Sequence, residues 1–178
     1  MTLVEYYTLK IGKITRKLPI VSISPKIKIA SFNLLGDCEL VESLAKQLKV
    51  KLINIKFDYL VGPEVKVVPL LQELSKLLKR KRYIICRKNI HGYMTSPIKS
   101  RSEPRLIIDG ADAEILKNKK VVILDDVVTS GKTLSVVEEL IKICGATVSA
   151  KIAVFKQDGQ NPLPKDLVYL YTLPIFPS

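Results

Sequence analysis

The chain has 178 residues, with 29 Lys or Arg against 17 Asp or Glu, which gives a formal net charge of +12. Hydrophobic residues make up 47% and charged residues 26%, a globular balance that excludes a disordered or fibrous chain. No apolar run reaches the roughly 18–20 residues that a membrane span needs, and the first residues lack an uninterrupted apolar signal segment. We therefore expect one soluble, cytoplasmic domain over residues 1–178, without a membrane partner.

Cysteine and histidine usage limits the chemistry further. The three cysteines, Cys38, Cys86 and Cys144, lack the paired spacing of a zinc site and the density of a disulfide scaffold. We expect them to be reduced, small core residues. His91 is the one histidine of the sequence, so a multi-histidine metal site is excluded and a histidine-centred catalytic triad is disfavoured.

The apolar residues alternate between helical and strand periods along the chain. In chain order, the patterns predict a helix over residues 37–49, a strand over 53–61, a helix over 64–78, a strand over 83–86, a loop over 89–103, strands over 105–108 and 121–124, a helix over 133–143, a strand over 148–155 and an extended segment over 167–176. Asp37 is expected to cap the first helix, and Gly145 to close the last one. Pro69 either kinks the second helix or lies in its first turn. Strands that alternate with helices predict an α/β fold with a mostly parallel sheet.

The basic charge is concentrated in one part of the sequence. Residues 76–105 contain ten Lys or Arg and one acid, Glu103, a net charge of +9. Such a concentration suggests an anionic ligand, either nucleic acid or a small polyphosphate. A solvated lysine-rich face is the plainer interpretation for most of these residues. Arg87 and Lys88 are different, because they directly follow an apolar strand.

The most informative stretch is VVILDDVVTSGKT, at residues 121–133. Four apolar residues predict a buried strand, and two carboxylates, Asp125 and Asp126, emerge at its carboxyl end. A loop with hydroxyl groups and Gly131 then leads into a helix. In an open α/β sheet ligands bind at the carboxyl ends of strands, and a helix N-terminus binds phosphate. The stretch therefore suits a ligand with a phosphate at one end and hydroxyls beside it, such as a ribose 5-phosphate.

Two other interpretations of this stretch remain. Gly131, Lys132 and Thr133 match the end of a nucleotide-triphosphate P-loop, but that motif requires a glycine five positions before Gly131. Asp126 stands there instead, a carboxylate where phosphate would have to lie, which argues against the P-loop. The second interpretation is a strand followed by an acidic helix cap, with no ligand.

The thirteen residues resemble the signature of the type I phosphoribosyltransferases, which bind 5-phosphoribosyl 1-diphosphate (PRPP). The resemblance implies the fold of that family, a mostly parallel central sheet flanked by helices with a small N-terminal hood. It implies that Asp125 and Asp126 hold the ribose hydroxyls and act in catalysis. The loop after them is then expected to hold the 5′-phosphate, through Thr129, Ser130, Gly131, Lys132 and Thr133. Lys132 stands where the family usually has a small residue.

Other segments are similar to the family in the same order. LVGPEVK resembles its pyrophosphate loop, which would comprise Gly62, Pro63, Glu64, Val65 and Lys66, although Val67 follows where adenine-type members usually have glycine. Arg87 and Lys88 resemble the pair that binds the diphosphate in adenine-type members, and Lys88 is expected to act in catalysis. Residues 89–105 correspond to a flexible loop that closes over the substrates and contains His91 and Tyr93.

The hood covers the base in this family and corresponds here to roughly residues 1–34. The run PKIKI at residues 25–29 resembles the adenine-type hood and implies base contacts near Ile27 and Ile29. An arginine that adenine enzymes usually carry close to this position is missing.

The resemblance implies transfer of the phosphoribosyl group from PRPP to a purine base, most simply adenine, in purine salvage. Mg²⁺ is expected as the cofactor, held mainly by PRPP oxygens and not by a protein metal site. A homodimer is implied. One alternative is a 6-oxopurine phosphoribosyltransferase, and another is a non-catalytic PRPP-sensing regulator that binds nucleic acid. The absence of a DNA-binding helix pair before Leu35 argues against the regulator, whereas the +12 charge keeps that alternative open.

Overall fold

The computed structural model describes residues 4–159 and 163–177. The central sheet comprises the strands Tyr59–Pro63 (β4), Ile84–Cys86 (β5), Lys120–Val128 (β8), Thr147–Gln157 (β9) and Leu167–Leu173 (β10). All neighbouring pairs are parallel, in the order β10-β9-β8-β4-β5. The predicted mostly parallel sheet is therefore confirmed. Within the described residues, no helix has the length and apolarity that a membrane crossing requires.

Four helices each precede a strand of this sheet: Cys38–Leu52 (α1), Val68–Leu77 (α2), Gly110–Leu116 (α3) and Lys132–Ile143 (α4). Buried residues of α1 and α2 belong to one core, and those of α3 and α4 belong to another. Each helix leads into a parallel strand and therefore ends at the amino edge of the sheet, and α2 and α4 run there from the carboxyl edge, because each follows a parallel strand directly. The expectation of a sheet flanked by helices is thus confirmed.

The N-terminal part of the chain forms a second, antiparallel sheet, which we call the hood sheet. It contains Tyr6–Ile11 (β1), Ile14–Ser24 (β2), Ile27–Ala30 (β3) and Ile175–Pro177 (β11), in the order β1-β2-β3-β11. Residues 1–3 of the expected hood lie outside the described residues. Pro174 divides the segment predicted as one extended piece, so that β10 joins the central sheet and β11 joins the hood sheet.

Several predicted boundaries differ from the structure. The strand predicted over 53–61 begins only at Tyr59, because α1 continues to Leu52 and turn hydrogen bonds occupy the next residues. The helix predicted over 64–78 spans Val68–Leu77, with Pro69 in its first turn, where a missing N–H is tolerated. The strand predicted over 121–124 extends to Val128, because β8 keeps pairing with β9.

The region between β5 and β8 contains elements that the patterns did not predict. Two short strands, Ile98–Lys99 (β6) and Ile107–Ile108 (β7), pair antiparallel, and β7 covers the second half of the strand predicted over 105–108. The helix α3 holds only about two turns, too few for a periodic signal. Its cap, the Asp109 carboxylate that accepts the Ala111 N–H, is the local signal that marks it.

The cysteines are free, as expected, but they do not share one environment. Cys86 and Cys144 are buried, and burial raises the pKa of the Cys144 thiol to about 11. Cys38 is exposed at the start of α1, so the expectation that all three are core residues is wrong. Its side chain belongs to the first turn of a helix that begins at the protein surface, so the thiol stays in contact with solvent.

Candidate functional site

The carboxyl edge of the central sheet brings three predicted segments together. Pro63 of β4 pairs with Cys86 of β5, and the Glu64 N–H donates to the Cys86 carbonyl at 2.8 Å. The neighbouring strand β8 carries Asp125 and Asp126, which we call the acid pair, near its own carboxyl end. The acid pair lies inside β8 and not after it, because pairing with β9 continues past both residues. Ligands of open parallel sheets bind at this edge.

A cavity of about 540 Å³ opens between these strand ends. It is lined by Pro63, Glu64, Val65, Lys66, Val67, Lys88, Pro104, Arg105, Leu106, Asp125, Asp126, Val127 and Thr133. Most residues of the predicted pyrophosphate loop thus line the same cavity as the acid pair and Lys88. Arg105, the last residue of the predicted flexible loop, adds a cation to it.

The acid pair is almost fully buried, with Asp125 7% and Asp126 8% exposed. The Asp126 N–H donates to Asp125 Oδ1 at 2.9 Å. Asp126 Oδ2 is buried and has no hydrogen-bond partner among the described residues. Burial, followed by the Asp126 charge, raises the pKa of Asp125 well above its usual range, while the cation of Lys66 acts in the opposite direction. Such a pair is ready to accept hydrogen bonds or to face positive charge.

Glu64 organises the cations at the end of β5. Its Oε1 accepts the backbone N–H of Lys88 at 2.7 Å, and its Oε2 lies 3.8 Å from Nη1 of Arg87. The Arg87 guanidinium also lies 5.7 Å from the ring centre of Tyr93. A carboxylate inside the predicted pyrophosphate loop therefore fixes a neighbouring strand end. Sequence spacing alone does not reveal that pairing.

The predicted phosphate loop, residues 129–133, forms a small concave surface that we call the cradle. It encloses about 30 Å³ before the first turn of α4. No described side chain caps this helix, and the Lys132 N–H reaches only Ser130 Oγ, at 3.5 Å. Uncapped N–H groups and the positive helix end attract an anion. Thr133 lines both the cradle and the larger cavity, so the two are continuous.

Two predicted glycines serve backbone packing as well as the site. Gly131 has a φ of +71°, and a Cβ there would lie 2.7 Å from Cδ of Pro164. Its missing side chain therefore makes room for Pro164, whereas the sequence suggested room for a phosphate. A Cβ on Gly62 would lie 2.6 Å from the Leu124 carbonyl oxygen, so this glycine lets β4 approach β8 closely. Gly62 does not line the cavity.

Lys66 connects the central sheet to the hood. Its Nζ donates to the carbonyl oxygen of Phe32 at 3.3 Å. The Phe32 ring meets that of Phe155, with centres 4.5 Å apart and a steep interplanar angle of 62°. These buried rings belong to a core that includes residues of both sheets. Phe32 was not among the predicted site residues, although it lies in the segment between β3 and α1.

Some predicted residues are not brought to the cavity. Ile27 and Ile29 lie in β3 and do not contribute to the described cavity lining. His91 and Tyr93 stack on each other, with ring centres 5.4 Å apart, and also lie outside that lining.

The loop of residues 89–105 is tied to α4 at one end. Glu139 accepts the backbone N–H of Arg101 through Oε1 and that of Ser102, at 3.2 Å, through Oε2. These bonds place the following Pro104 and Arg105 at the cavity. Glu139 is a functional candidate that sequence reasoning missed, because only folding brings α4 against this loop.

Comparison with known proteins agrees with this geometry. Residues 37–173 match the family model described as "Phosphoribosyl transferase domain". An adenine phosphoribosyltransferase of Corynebacterium diphtheriae is 50% identical over 44 residues, 25% of this chain and 24% of that protein. An orotate phosphoribosyltransferase of Yarrowia lipolytica is 31% identical over 127 residues, 68% of this chain and 56% of that protein. The chain thus spans about half or less of these curated relatives. The solved structure of an adenine phosphoribosyltransferase from Rhodothermus marinus has the same fold, with a TM-score of 0.64, 19% identity and 94% of each chain covered.

Proposed function

The chain belongs to the phosphoribosyltransferase family, and we propose that it transfers the 5-phosphoribosyl group of PRPP to adenine, releasing pyrophosphate. One observation carries the proposal. The Asp126 Oδ2 acceptor is buried without a partner among the described residues, beside an uncapped helix N-terminus. A buried acceptor without a donor is unfavourable until a ligand supplies one. The ribose hydroxyls of PRPP are such donors, and its 5′-phosphate suits the cradle.

In this proposal the acid pair holds the ribose 2′ and 3′ hydroxyls. The 5′-phosphate lies on the cradle, bound by the hydroxyls of Thr129, Ser130 and Thr133 and by uncapped N–H groups. The acid pair then also faces the positive charge that develops on the ribose as the bond to the diphosphate breaks. Fixed negative charge at that point lowers the barrier.

The diphosphate leaves towards the cations of the cavity. Lys66, Lys88 and Arg105 line it, and Arg87 lies just beyond, held by Glu64. Cations placed at the departing oxygens stabilise the negative charge that accumulates there. A base nitrogen attacks from the hood side, forming the C–N bond as the C–O bond to the diphosphate breaks, and the proton of that nitrogen leaves with the pyrophosphate. Pro104 and Leu106 narrow the cavity and help exclude water from the reacting carbon.

The donor set fits Mg²⁺ as a PRPP-bound ion. No group of three or more metal-ligating side chains occurs in the described part of the chain, whereas the acid pair supplies hard oxygen ligands next to the proposed diphosphate position. PRPP oxygens would hold most of the ion's coordination shell, with Asp125 and Asp126 contacting it through water. When bound, Mg²⁺ neutralises part of the diphosphate charge and favours its departure.

Adenine is the acceptor we propose, supported by the name of the relative with 50% identity. Orotate is the second candidate, because the longer match, over 127 residues, is to an orotate enzyme. A homodimer and a cytoplasmic location stay predictions from the family resemblance.

An assay with PRPP and Mg²⁺ tests the proposal across adenine, hypoxanthine, guanine, xanthine, uracil and orotate. We expect nucleotide formation with adenine and little with the other bases. Turnover of orotate or of a 6-oxopurine in place of adenine would reassign the acceptor and keep the reaction. PRPP binding without turnover of any base would overturn the enzyme hypothesis in favour of the PRPP-sensing regulator.

A further inference from the structure

The basic region found in the sequence divides between two opposite edges of the central sheet. β5 separates its two halves. Arg87 and Lys88 follow β5 at the carboxyl edge, beside the proposed site. Residues 79–82, all Lys or Arg, precede β5 at the amino edge. The proposed PRPP site therefore accounts for only part of the charge.

The amino edge collects further cations because all four helices end there. Twelve exposed Lys or Arg lie in the last helical turns, in the loops that follow or at the start of β8: Lys49, Lys51, Lys56, Lys76, Lys79, Arg80, Lys81, Arg82, Lys117, Lys119, Lys120 and Lys142. Four of them pair with nearby carboxylates, and the described residues offer the other eight no ion-pair partner. Asp58 is also exposed at this edge, and its carboxylate accepts a hydrogen bond from the backbone N–H of Lys120. We call these twelve residues the basic edge.

The end of α2 presents the densest part of the basic edge in a fixed conformation. The Arg80 N–H donates to the Ser75 carbonyl at 2.8 Å, and the Lys79 N–H donates to that of Lys76 at 3.0 Å. These two hydrogen bonds end the helix and leave Lys79 with φ +54°, a backbone conformation that favours glycine. The Arg80 guanidinium then lies 4.7 Å from the ring centre of Phe57. The cations are thus held by backbone and packing, in contrast to a mobile lysine tail.

A cavity of about 190 Å³ lies within this cluster, lined by Gln72, Ser75, Lys76, Arg80, Lys81, Arg82 and Tyr83. Ser75 is 4% exposed, and its hydroxyl has no hydrogen-bond partner in the described part of the chain. A buried hydroxyl without a partner among four cations is a donor suited to an anionic oxygen. No acidic residue lines this cavity.

We propose that the basic edge binds the phosphate backbone of duplex nucleic acid, with one phosphate received in the Ser75 cavity. Cations spread over a whole edge suit the regularly spaced phosphates of a duplex better than they suit one small anion. The rings beside the cavity, Phe57 and Tyr83, are buried or half-buried, so they offer no platform on which the bases of a single strand could stack. The proposal does not depend on the proposed function, because the two sites lie at opposite edges.

Fluorescence anisotropy with a labelled mixed-sequence DNA duplex of about 20 base pairs, titrated at several salt concentrations, tests this. We expect micromolar or tighter binding at low salt, with a log–log salt slope of about −0.9 for each phosphate neutralised. Lys79→Gly combined with Lys81→Ser should weaken binding several-fold and make the slope shallower by about two. Glycine suits the positive φ at position 79, so the fold should not suffer.

Ser75→Ala and a charge-matched control complete the experiment. Ser75→Ala should weaken binding while the melting temperature stays the same or rises, because it removes an unpartnered buried hydroxyl. Lys10→Ser with Lys13→Ser, exposed lysines of the hood hairpin, removes equal charge and should weaken binding much less. Saturating PRPP should not displace the duplex, and phosphoribosyl turnover should be unchanged in all these variants.

Three results would overturn the proposal: no binding at low salt, equal weakening by the control pair, or displacement of the duplex by PRPP. Tighter binding of a single strand than of the duplex would overturn the duplex assignment. Turnover is measured separately, so its absence would refute the proposed enzyme and leave the result for the basic edge unaffected.

Discussion

The carboxylate of Glu64 accepts the backbone N–H of Lys88 at 2.7 Å and thereby ties the loop after β4 to the end of β5. The second oxygen of the same carboxylate lies 3.8 Å from Arg87. An acid stands in the middle of a region proposed to bind diphosphate, where a free negative charge would repel the ligand. Because the Glu64 carboxylate is already paired, it holds Arg87 and Lys88 in place instead.

The Glu64 tether predicts a graded response to substitution. Glu64→Ala removes both contacts and should raise the PRPP KM about tenfold or more, since a hydrogen bond to a charged group is worth about 1.5–3 kcal/mol. Glu64→Gln keeps an oxygen acceptor for the Lys88 N–H and should retain more of the affinity. Steady-state kinetics over a range of PRPP concentrations measures both variants. Equal PRPP KM values in the parent and in Glu64→Ala would contradict the tether.

Asp126→Asn tests the acid pair directly. The variant keeps the shape of the side chain and loses its charge, so we expect a parental melting temperature and a turnover about 10²–10³ lower. Turnover and thermal unfolding are measured on the same preparation. A variant with both parental stability and parental turnover would remove Asp126 from the mechanism.

The raised pKa of Asp125 predicts a pH-dependent stability in the absence of ligand. Because the pKa is raised in the folded state, folding is favoured while the carboxyl is protonated, below about pH 4. This stabilisation is lost as the pH rises through the folded-state pKa. Asp125→Asn should therefore be more stable than the parent at neutral pH, with the difference shrinking towards pH 4.

Thermal unfolding between pH 4 and 8 measures this difference. Each kcal/mol corresponds to roughly 2–4 °C in melting temperature for a domain of this size. Asp158→Asn, an exposed substitution, controls for the loss of one carboxylate. A constant gap between the parent and Asp125→Asn across this pH range would contradict the assignment.

Gly131 and Thr133 separate the stability of the cradle from its binding. Gly131→Ala should lower the melting temperature, because its φ is +71° and its new Cβ would lie 2.7 Å from Pro164. The double variant with Pro164→Ala should recover part of that loss. Thr133→Val keeps the size of the side chain and removes its hydroxyl, so it should weaken nucleoside monophosphate binding with a smaller change in stability. Calorimetric titration and thermal unfolding distinguish these effects, and unchanged affinity in Thr133→Val would place the phosphate elsewhere.

The sequence by itself determined the elements whose signals are local. Asp37 caps α1 as predicted, because its side chain accepts the Leu40 N–H only three residues away. Gly145, with φ +72°, follows the end of α4 for the same kind of reason. The acid pair and the cradle are contiguous in the chain, so their types and order could be predicted without the fold. The start of β4 and the helix α3 could not, because pairing partners and a short helix leave no period to detect.

Only the tertiary structure decided which distant residues share a surface. Glu139 lies 38 residues from Arg101, whose backbone N–H it accepts. Residues 79–82 and the pair of Arg87 and Lys88 stand close in sequence and look like one basic cluster. The strand β5 between them carries one group to each edge of the sheet, because a parallel strand crosses the sheet from its amino to its carboxyl side. The residue types therefore determine the net charge of this region. The direction of β5 determines at which edge of the sheet each group of cations lies.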